Sequence, residues 1–279
     1  MPLTADFQFS QGSLQDYIEC ARRFQLRYLE RRAWPAIEAE PALLHERQLQ
    51  QGLAFHRLVH QHIVGIDADR LERMAIEQPQ GGPELERWWR SYRSHPPADL
   101  PDARYPEITL SAPLGGYRLL AKYDLVAVQV GQRAVIVDWK TTRGHPQRQR
   151  LARHMQTRVY PYLLTHAGHE LNGARPVPPQ AVEMIYWFAN FPQELQRFAY
   201  SEEQYAADGD FLLSLVNRIA ALGPNDFPQT EQVEQCRYCR YRSLCQRGTT
   251  AGLIDEDDAP EEADLETAFD FDEITEIPL

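Results

Sequence analysis

Asp138, Trp139 and Lys140 follow the apolar, β-branched run 134–137 and are the residues that most directly suggest chemistry. The run has the length and composition of a buried strand. Because side chains alternate along a strand, Asp138 and Lys140 should point to one face and Trp139 to the other. Burying a carboxylate and an ammonium is costly unless both charges are compensated, as a divalent metal and a phosphate would do. A salt bridge at the end of a strand is the alternative.

Lysine is rare in this chain, which strengthens the interest in Lys140. Of the 29 Lys and Arg residues, only Lys122 and Lys140 are lysines. An ammonium is compact and can lose its proton when desolvated, which a guanidinium does not do. A position that keeps lysine in so arginine-rich a chain therefore suggests a specific chemical need.

Asp124 lies on the preceding predicted strand and completes the pattern Asp-x13-Asp-x-Lys. Two neighbouring strands could place Asp124 and Asp138 within reach of one ion. Carboxylate oxygens of this kind suit Mg²⁺ or Mn²⁺. Such a metal would polarise a scissile phosphate and help to generate hydroxide, while Lys140 would stabilise the attacking oxygen or the transition-state charge.

His56 falls in the apolar stripe of a helix predicted over 47–64. It is a candidate fourth member of the site, although a histidine in such a stripe is more often a core residue. His60 and His62 could also support a different metal site.

Gln156 and Tyr160 are four residues apart on another predicted helix, so they share one face. They could reach a phosphate or orient Lys140. The alternative is ordinary helix surface and core.

The four cysteines have the spacing of a metal site. Cys236, Cys239 and Cys245 form a tight knuckle, and Cys20 lies far away on the first predicted helix. Four thiolates suit Zn²⁺ or an iron–sulfur cluster, with free structural cysteines as the alternative. A shared site would join the first helix to the C-terminal end.

The predicted elements alternate between helix and strand, which is typical of an α/β protein. A helix capped by a serine of the stretch Ser10–Ser13 should open the chain, and a helix carrying Trp88 and Trp89 should lie in the connection 65–105. The other predicted elements are strands at 105–112, 117–129, 133–139, 180–189 and 195–200, and helices at 147–165 and 201–222.

Charge is distributed unevenly along the chain. Twelve of the 40 acidic residues, and no Lys or Arg, lie in 248–279, which predicts a disordered acidic tail that solubilises the protein or competes with nucleic acid. The remainder is close to neutral, so the net charge of −11 does not exclude a polyanionic substrate. The chain has neither a bilayer-spanning run nor a signal peptide at its N-terminus, so we expect a cytoplasmic protein.

Taken in order, these motifs resemble the RecB-like branch of the PD-(D/E)XK nuclease superfamily, with the layout of CRISPR-associated RecB-like exonucleases and of the AddB nuclease domain. The resemblance covers roughly residues 10–247. The matching stretches are Ser13–Phe24, Gly52–His56, Lys122–Asp124, Val137–Thr141, Gln156–Tyr160 and the cysteine knuckle.

The resemblance implies roles for individual residues. Metal ligands would be His56, Asp124 and Asp138, with Lys140 catalytic and Gln156 and Tyr160 near the substrate. Glu107, on the first strand of the sheet, matches an accessory carboxylate. The four cysteines would hold a [4Fe–4S] cluster, with zinc as the rival.

We therefore expect a restriction-endonuclease-like α/β core, a central mixed sheet flanked by helices, in one nuclease domain over 1–247 with 65–105 as a helical insertion or cap. The expected activity is Mg²⁺- or Mn²⁺-dependent hydrolysis of DNA, as an exonuclease on single strands or duplex ends, in repair, recombination or defence. Neither lysine follows a glycine, so a P-loop motor is absent and any helicase would be a separate partner. The alternative is a non-catalytic nucleic-acid-binding or assembly module that keeps the fold.

Overall fold

A mixed six-stranded sheet forms the centre of the molecule. The computed structural model describes residues 3–32, 40–77 and 82–249. All but the first two residues of the predicted acidic tail lie outside this part of the chain. The strands are β1 (Gln8–Ser10), β2 (Ala103–Leu114), β3 (Tyr117–Gln129), β4 (Arg133–Lys140), β5 (Val182–Phe188) and β6 (Gln196–Ala199).

Helices cover both faces of the sheet. They are α1 (Gln11–Glu19), α2 (Ala21–Phe24), α3 (Glu40–Ile63), α4 (Ala68–Glu77), α5 (Gly82–Ser94), α6 (Arg148–Leu151), α7 (Met155–Ala167), α8 (Glu202–Ala220) and α9 (Arg242–Cys245). None of the helices described is both long and apolar enough to cross a bilayer.

The sheet order is β1-β3-β4-β5-β6, and β2 pairs with β3. Pairing is parallel for β1 with β3 and for β4 with β5, and antiparallel elsewhere. The parallel step from β4 to β5 requires a crossover, which α6 and α7 supply. The predicted α/β fold with a central mixed sheet flanked by helices is confirmed.

The two faces of the sheet bury separate apolar clusters. On one face α7 and α8 cover residues such as Val126, Ile136 and Tyr186. On the other face α3, α4 and α5 cover Leu125, Val137 and Trp139 among others. Complete burial of one such aliphatic or aromatic side chain contributes about 1.5–3 kcal/mol, so alternating apolar residues fix which way each strand faces.

The face under α3 and α5 buries several large aromatic side chains. Trp139 and Trp187 lie with ring centroids 5.7 Å apart, and Phe55 stacks on Trp187 at 5.9 Å. Trp88 and Trp89 of α5 belong to the same buried cluster. We call this cluster the aromatic face.

Helix α1 begins where the sequence predicts. The Ser10 hydroxyl accepts from the Ser13 amide, and the Ser13 hydroxyl accepts from the Ser10 amide, which completes a capping box. Such a cap stabilises a helix by about 1 kcal/mol.

One predicted helix is divided in the structure, and strand β1 and helix α4 are elements that the sequence analysis did not predict. Residues 147–165 were expected as one helix, but α6 ends at Leu151 and α7 starts at Met155. The break places the Thr157 hydroxyl within reach of the Leu151 carbonyl and of Tyr186 Oη. Strand β1 was not predicted, because three residues are too short for an alternating pattern.

Candidate active site

The two edges of β3 pair with different strands, and the site lies where the pairing partner on one edge changes. Strand β2 pairs along nearly the whole of one edge. On the other edge, β1 pairs with residues 118–120 and β4 pairs with residues 125–129. The stretch 121–124 therefore lies in a fork between β1 and β4. Here the Asp124 carboxylate, through Oδ2, accepts from the Trp139 amide at 2.8 Å.

Strands β2 and β3 change side at this fork. Along β3, Ala121 and Tyr123 face α7, but so do Val126 and Val128, so the alternation slips by one residue near Asp124. The pairing register with β2 is the same before and after the slip. Opposite Asp124, Glu107 has a φ of 53°, in the left-handed region that an L-residue other than glycine rarely adopts. The irregular backbone is thus concentrated where the two carboxylates lie.

His56 completes a group of three with Glu107 and Asp124. Donor atoms of these residues all lie within 4.8 Å of one another. The His56 Nδ1 atom is 3.1 Å from Asp124 Oδ1, and Glu107 Oε2 is 2.6 Å from Lys122 Nζ. One imidazole nitrogen with two carboxylates is a donor set that suits Mg²⁺ or Mn²⁺, so these residues fit a divalent cation.

Asp138 and Lys140 both point towards α7, as predicted, and Gln156 lies between them. The Lys140 ammonium is 3.0 Å from Asp138 Oδ2 and donates to Gln156 Oε1 at 3.0 Å. The Gln156 amide donates to Asp138 Oδ1. All three side chains are buried. The oxygens of Asp138 thus face Lys140 and Gln156, whereas Glu107 takes the third place in the group with His56 and Asp124.

The two aspartates differ in acidity for physical reasons. Burial raises the pKa of Asp138 to about 7, since Lys140 offsets only part of the desolvation and the charge of Asp124 adds to it. At Asp124 burial acts in the same direction, but His56 and the Trp139 amide outweigh it and lower the pKa. The Asp124 carboxyl is therefore held ionised, whereas the pKa of the Asp138 carboxyl lies near neutral pH.

Two other candidates, Tyr160 and His62, make contacts that hold neighbouring elements together. Tyr160 is buried, its hydroxyl donates to the Lys122 carbonyl at 2.7 Å, and its ring centroid is 4.7 Å from that of Tyr123. These contacts fix α7 on β3, and a contact of Tyr160 with substrate stays a prediction. His62 is bonded to Tyr92 and Arg93, so it braces α3 against α5.

The four cysteines line a single cavity. The segments that carry them are also joined by hydrogen bonds, from the Arg22 amide to the Pro228 carbonyl and from Gln25 to the Pro224 carbonyl. Burial raises the pKa of Cys239 to about 11. A thiolate at this position therefore requires compensating positive charge, which a bound metal would supply.

Sequence reasoning did not single out Asn190. Its amide donates to the carbonyls of Thr141 and Thr142, and its oxygen accepts from Trp88 Nε1 at 2.9 Å. It thereby fastens α5 to the loop that follows Lys140. An asparagine after a strand is common, so its type carries no signal; only the tertiary contact does.

Comparisons with known proteins add a family to this geometry. Residues 8–246 match the sequence profile of the PD-(D/E)XK nuclease superfamily. No curated protein matches the chain.

Two solved structures are similar in fold. A structure named SSO0001 has a TM-score of 0.43 at 13% identity, covering 89% of this chain and 90% of its own. A "Putative exonuclease" from Eubacterium rectale has a TM-score of 0.47 at 11% identity, covering 78% and 85%.

Proposed function

This chain belongs to the PD-(D/E)XK nuclease superfamily, and from that premise we propose that it is a metal-dependent deoxyribonuclease that hydrolyses phosphodiester bonds. The observation that carries the proposal is the buried Lys140, held between Asp138 and Gln156 beside the group formed by His56, Glu107 and Asp124. The Lys140 ammonium thus lies beside carboxylates that could hold a metal, and a preorganised cation of this kind can stabilise the charge that develops during phosphate hydrolysis.

The residues of the fork would hold the metal. His56 and Asp124 are the proposed ligands, with Glu107 beside them and Asp138 available once its proton has left. A divalent cation bound here would polarise the scissile phosphate and lower the pKa of a bound water. The His56–Asp124 contact and the Trp139 amide fix the Asp124 carboxylate in place before any ligand arrives.

Lys140 is the proposed catalytic cation. Asp138 Oδ2 and Gln156 Oε1 hold its Nζ in one position. From there it would stabilise the negative charge of the attacking oxygen or of the transition state. The Gln156 side-chain oxygen accepts from Lys140 and its amide donates to Asp138, so Gln156 orients both groups.

Substitution of Lys140 tests the activity. Lys140→Ala should lower the rate of Mg²⁺- or Mn²⁺-dependent cleavage of a labelled oligonucleotide by about a hundredfold to a thousandfold, as the loss of one preorganised oxyanion-hole donor does in other enzymes. Arg133→Ala is the matched control, since it removes a positive charge from the other end of β4, where Arg133 pairs with Asp99, and leaves Asp138 and Gln156 paired with Lys140. Undiminished cleavage by Lys140→Ala would contradict the assignment, and no cleavage by the unchanged protein on any strand would favour a binding module.

For the cysteines we propose a [4Fe–4S] cluster. Tetrahedral zinc at about 2.3 Å would bring each pair of sulfurs to about 3.8 Å. Among the described residues, the group with donor atoms within 4.8 Å is His56, Glu107 and Asp124, and the cysteines do not form one. Wider spacing is what a multi-atom cluster between the thiolates would require.

Metal analysis separates the two possibilities. Protein purified without oxygen should be brown, contain iron and sulfide, and lose both in Cys239→Ala. The Asp138→Ala variant should keep the colour, because Asp138 lies at the fork and not in the cysteine cavity. A colourless protein with one zinc per chain would refute the cluster.

The remaining features are proposals of the same kind. We take 1–247 as one nuclease domain with 65–105 as its insertion, and DNA as the substrate, either single strands or duplex ends. We propose exonucleolytic cleavage in repair, recombination or defence, with a helicase or CRISPR protein as the partner. Digestion of circular and linear strands would test the need for an end.

A further inference from the structure

The segment that follows the catalytic strand is strongly basic. From Trp139 to His169 the chain has no Asp or Glu, and it carries Lys140 and five arginines. The segment starts inside the candidate site and continues through α6 and α7. Arg143 and Arg158 are paired with Glu84 and Asp208, which reduces this charge. The positive charge that remains beside the site attracts a phosphate backbone whatever the base sequence.

Two aromatic rings lie at the start of this segment. The rings of His145 and Phe191 are 4.0 Å apart between centroids, with planes tilted by 34°. The His145 side chain is 73% exposed, and its Nδ1 is 3.4 Å from Glu194. Phe191 packs on the α7 side of the sheet. The pair therefore has one ring open to solvent and one ring that is partly buried against the core.

A stacked arginine extends this surface. The Arg148 guanidinium carbon is 4.4 Å from the centroid of the Phe198 ring. The Nη1 atom of Arg148 donates to the Arg197 carbonyl at 2.8 Å. Guanidinium and aromatic planes both accept a nucleobase on their faces.

The pair is also near Lys140. Phe188 is paired with Lys140 in the sheet, three residues before Phe191. The Ala189 amide donates to the Lys140 carbonyl at 2.8 Å. His145 is five residues beyond Lys140, so at most about 18 Å of chain separates them.

We propose that His145 and Phe191 form a nucleobase-stacking subsite that selects single-stranded DNA for this active site. The inference rests on the proposed nuclease function and narrows its substrate. Bases of a single strand have free faces, whereas those of a duplex are stacked on one another and paired. The arginines hold the backbone and the rings discriminate between the two forms.

Binding to matched probes tests the subsite. Fluorescence anisotropy in EDTA, where a metal-dependent enzyme does not cleave, compares a labelled oligo-dT, an abasic strand of the same length and a duplex. His145→Ala and Phe191→Leu should each weaken oligo-dT binding about tenfold and leave the abasic strand and the duplex unchanged. Phe191→Tyr keeps the ring and should bind as the unchanged protein does.

Phe211→Leu is the control for loss of an aromatic ring next to arginine. Phe211 is 37% exposed and 4.8 Å from Arg158, but it lies on α8. Equal weakening on the abasic strand, unchanged oligo-dT binding in both ring variants, or failure of Phe191→Tyr to restore binding would overturn the subsite. Thermal unfolding of each variant identifies a loss that comes from misfolding, and His145→Ala, at an exposed position, then decides the question.

The two proposals fail in different ways. If the unchanged protein cleaves DNA in Mn²⁺ but both ring variants bind normally, the nuclease stands and the subsite is wrong. If ring variants lose oligo-dT binding but no strand is cleaved, the subsite stands and the nuclease is wrong.

Discussion

Asp138 and Lys140 are opposite charges 3.0 Å apart in a buried setting. Such a pair is costly to bury, and removing one partner leaves an uncompensated charge. Gln156 makes the arrangement tolerable because it bonds to both residues. The pair therefore contributes little to stability by itself, and its value lies in keeping an ammonium ready beside the fork.

The raised pKa of Asp138 predicts how metal binding depends on pH. The pKa is about 7 in the fold against 3.8 for an ordinary aspartate. The folded state thus holds a proton that the unfolded state has lost, so this group stabilises the metal-free protein at low pH and ceases to do so as the pH rises through about 7. A bound cation favours the carboxylate. The rise in melting temperature caused by Mn²⁺ should therefore be clearly larger at about pH 8 than at about pH 6.

Asp138→Asn is the control for this effect. The amide has nearly the same shape and does not titrate, so the metal-free variant should lose less stability between these two pH values than the unchanged protein. Identical profiles for the two proteins, measured by circular dichroism, would show that another group titrates.

At the level of elements, the site depends on the fork in β3. Strands β1 and β4 share one edge of β3, and the side chain of Asp124 replaces a backbone acceptor between them. Without this acceptor, the Trp139 amide would be buried with no hydrogen-bond partner, which is costly. The carboxylate thus fixes the end of β4, and with it Asp138 and Lys140, relative to His56.

Glu107 shows the strain that accompanies this geometry. Its φ of 53° places Cβ in a conformation that costs about 1–2 kcal/mol for a residue other than glycine. Glu107→Gly and Glu107→Ala both remove the contact with Lys122, but only glycine relieves the strain. We expect Glu107→Gly to be more stable than Glu107→Ala by about 1 kcal/mol in urea unfolding. Equal stabilities would mean that the left-handed backbone is not strained.

Much of this element level could be predicted from the sequence. Alternation and turn residues located β2 to β6, and the stretch Ser10–Ser13 located the start of α1. The direction of Asp138 and Lys140 followed from the period of a strand. The fork could not be predicted, because it depends on how β1 pairs with a strand more than a hundred residues away.

The third member of the donor group shows a similar limit. Glu107 was expected only as an accessory, and nothing in its residue type indicates a positive φ. Glu107 joins His56 and Asp124 because the side chains of β2 and β3 change face at the fork. That change leaves the hydrophobic pattern ambiguous at the very residues that matter.

At the level of the whole molecule, charge is separated along the chain. Residues 248–279 hold 12 of the 40 acidic residues, and the rest of the chain has 28 acidic and 29 basic residues. Ending the chain after Thr249 should strengthen binding of oligo-dT by about tenfold at low salt, with a smaller gain at high salt because screening weakens repulsion. Unchanged affinity at low salt would leave the segment a solubilising role only.

The aromatic face gives this protein a built-in optical reporter. Four of its five tryptophans lie in that one buried cluster. The Trp139 amide donates a hydrogen bond to Asp124, and the next residue in the chain is Lys140. Events at the fork should therefore alter the indole emission spectrum, so that ligand arrival can be followed in real time without attaching a dye.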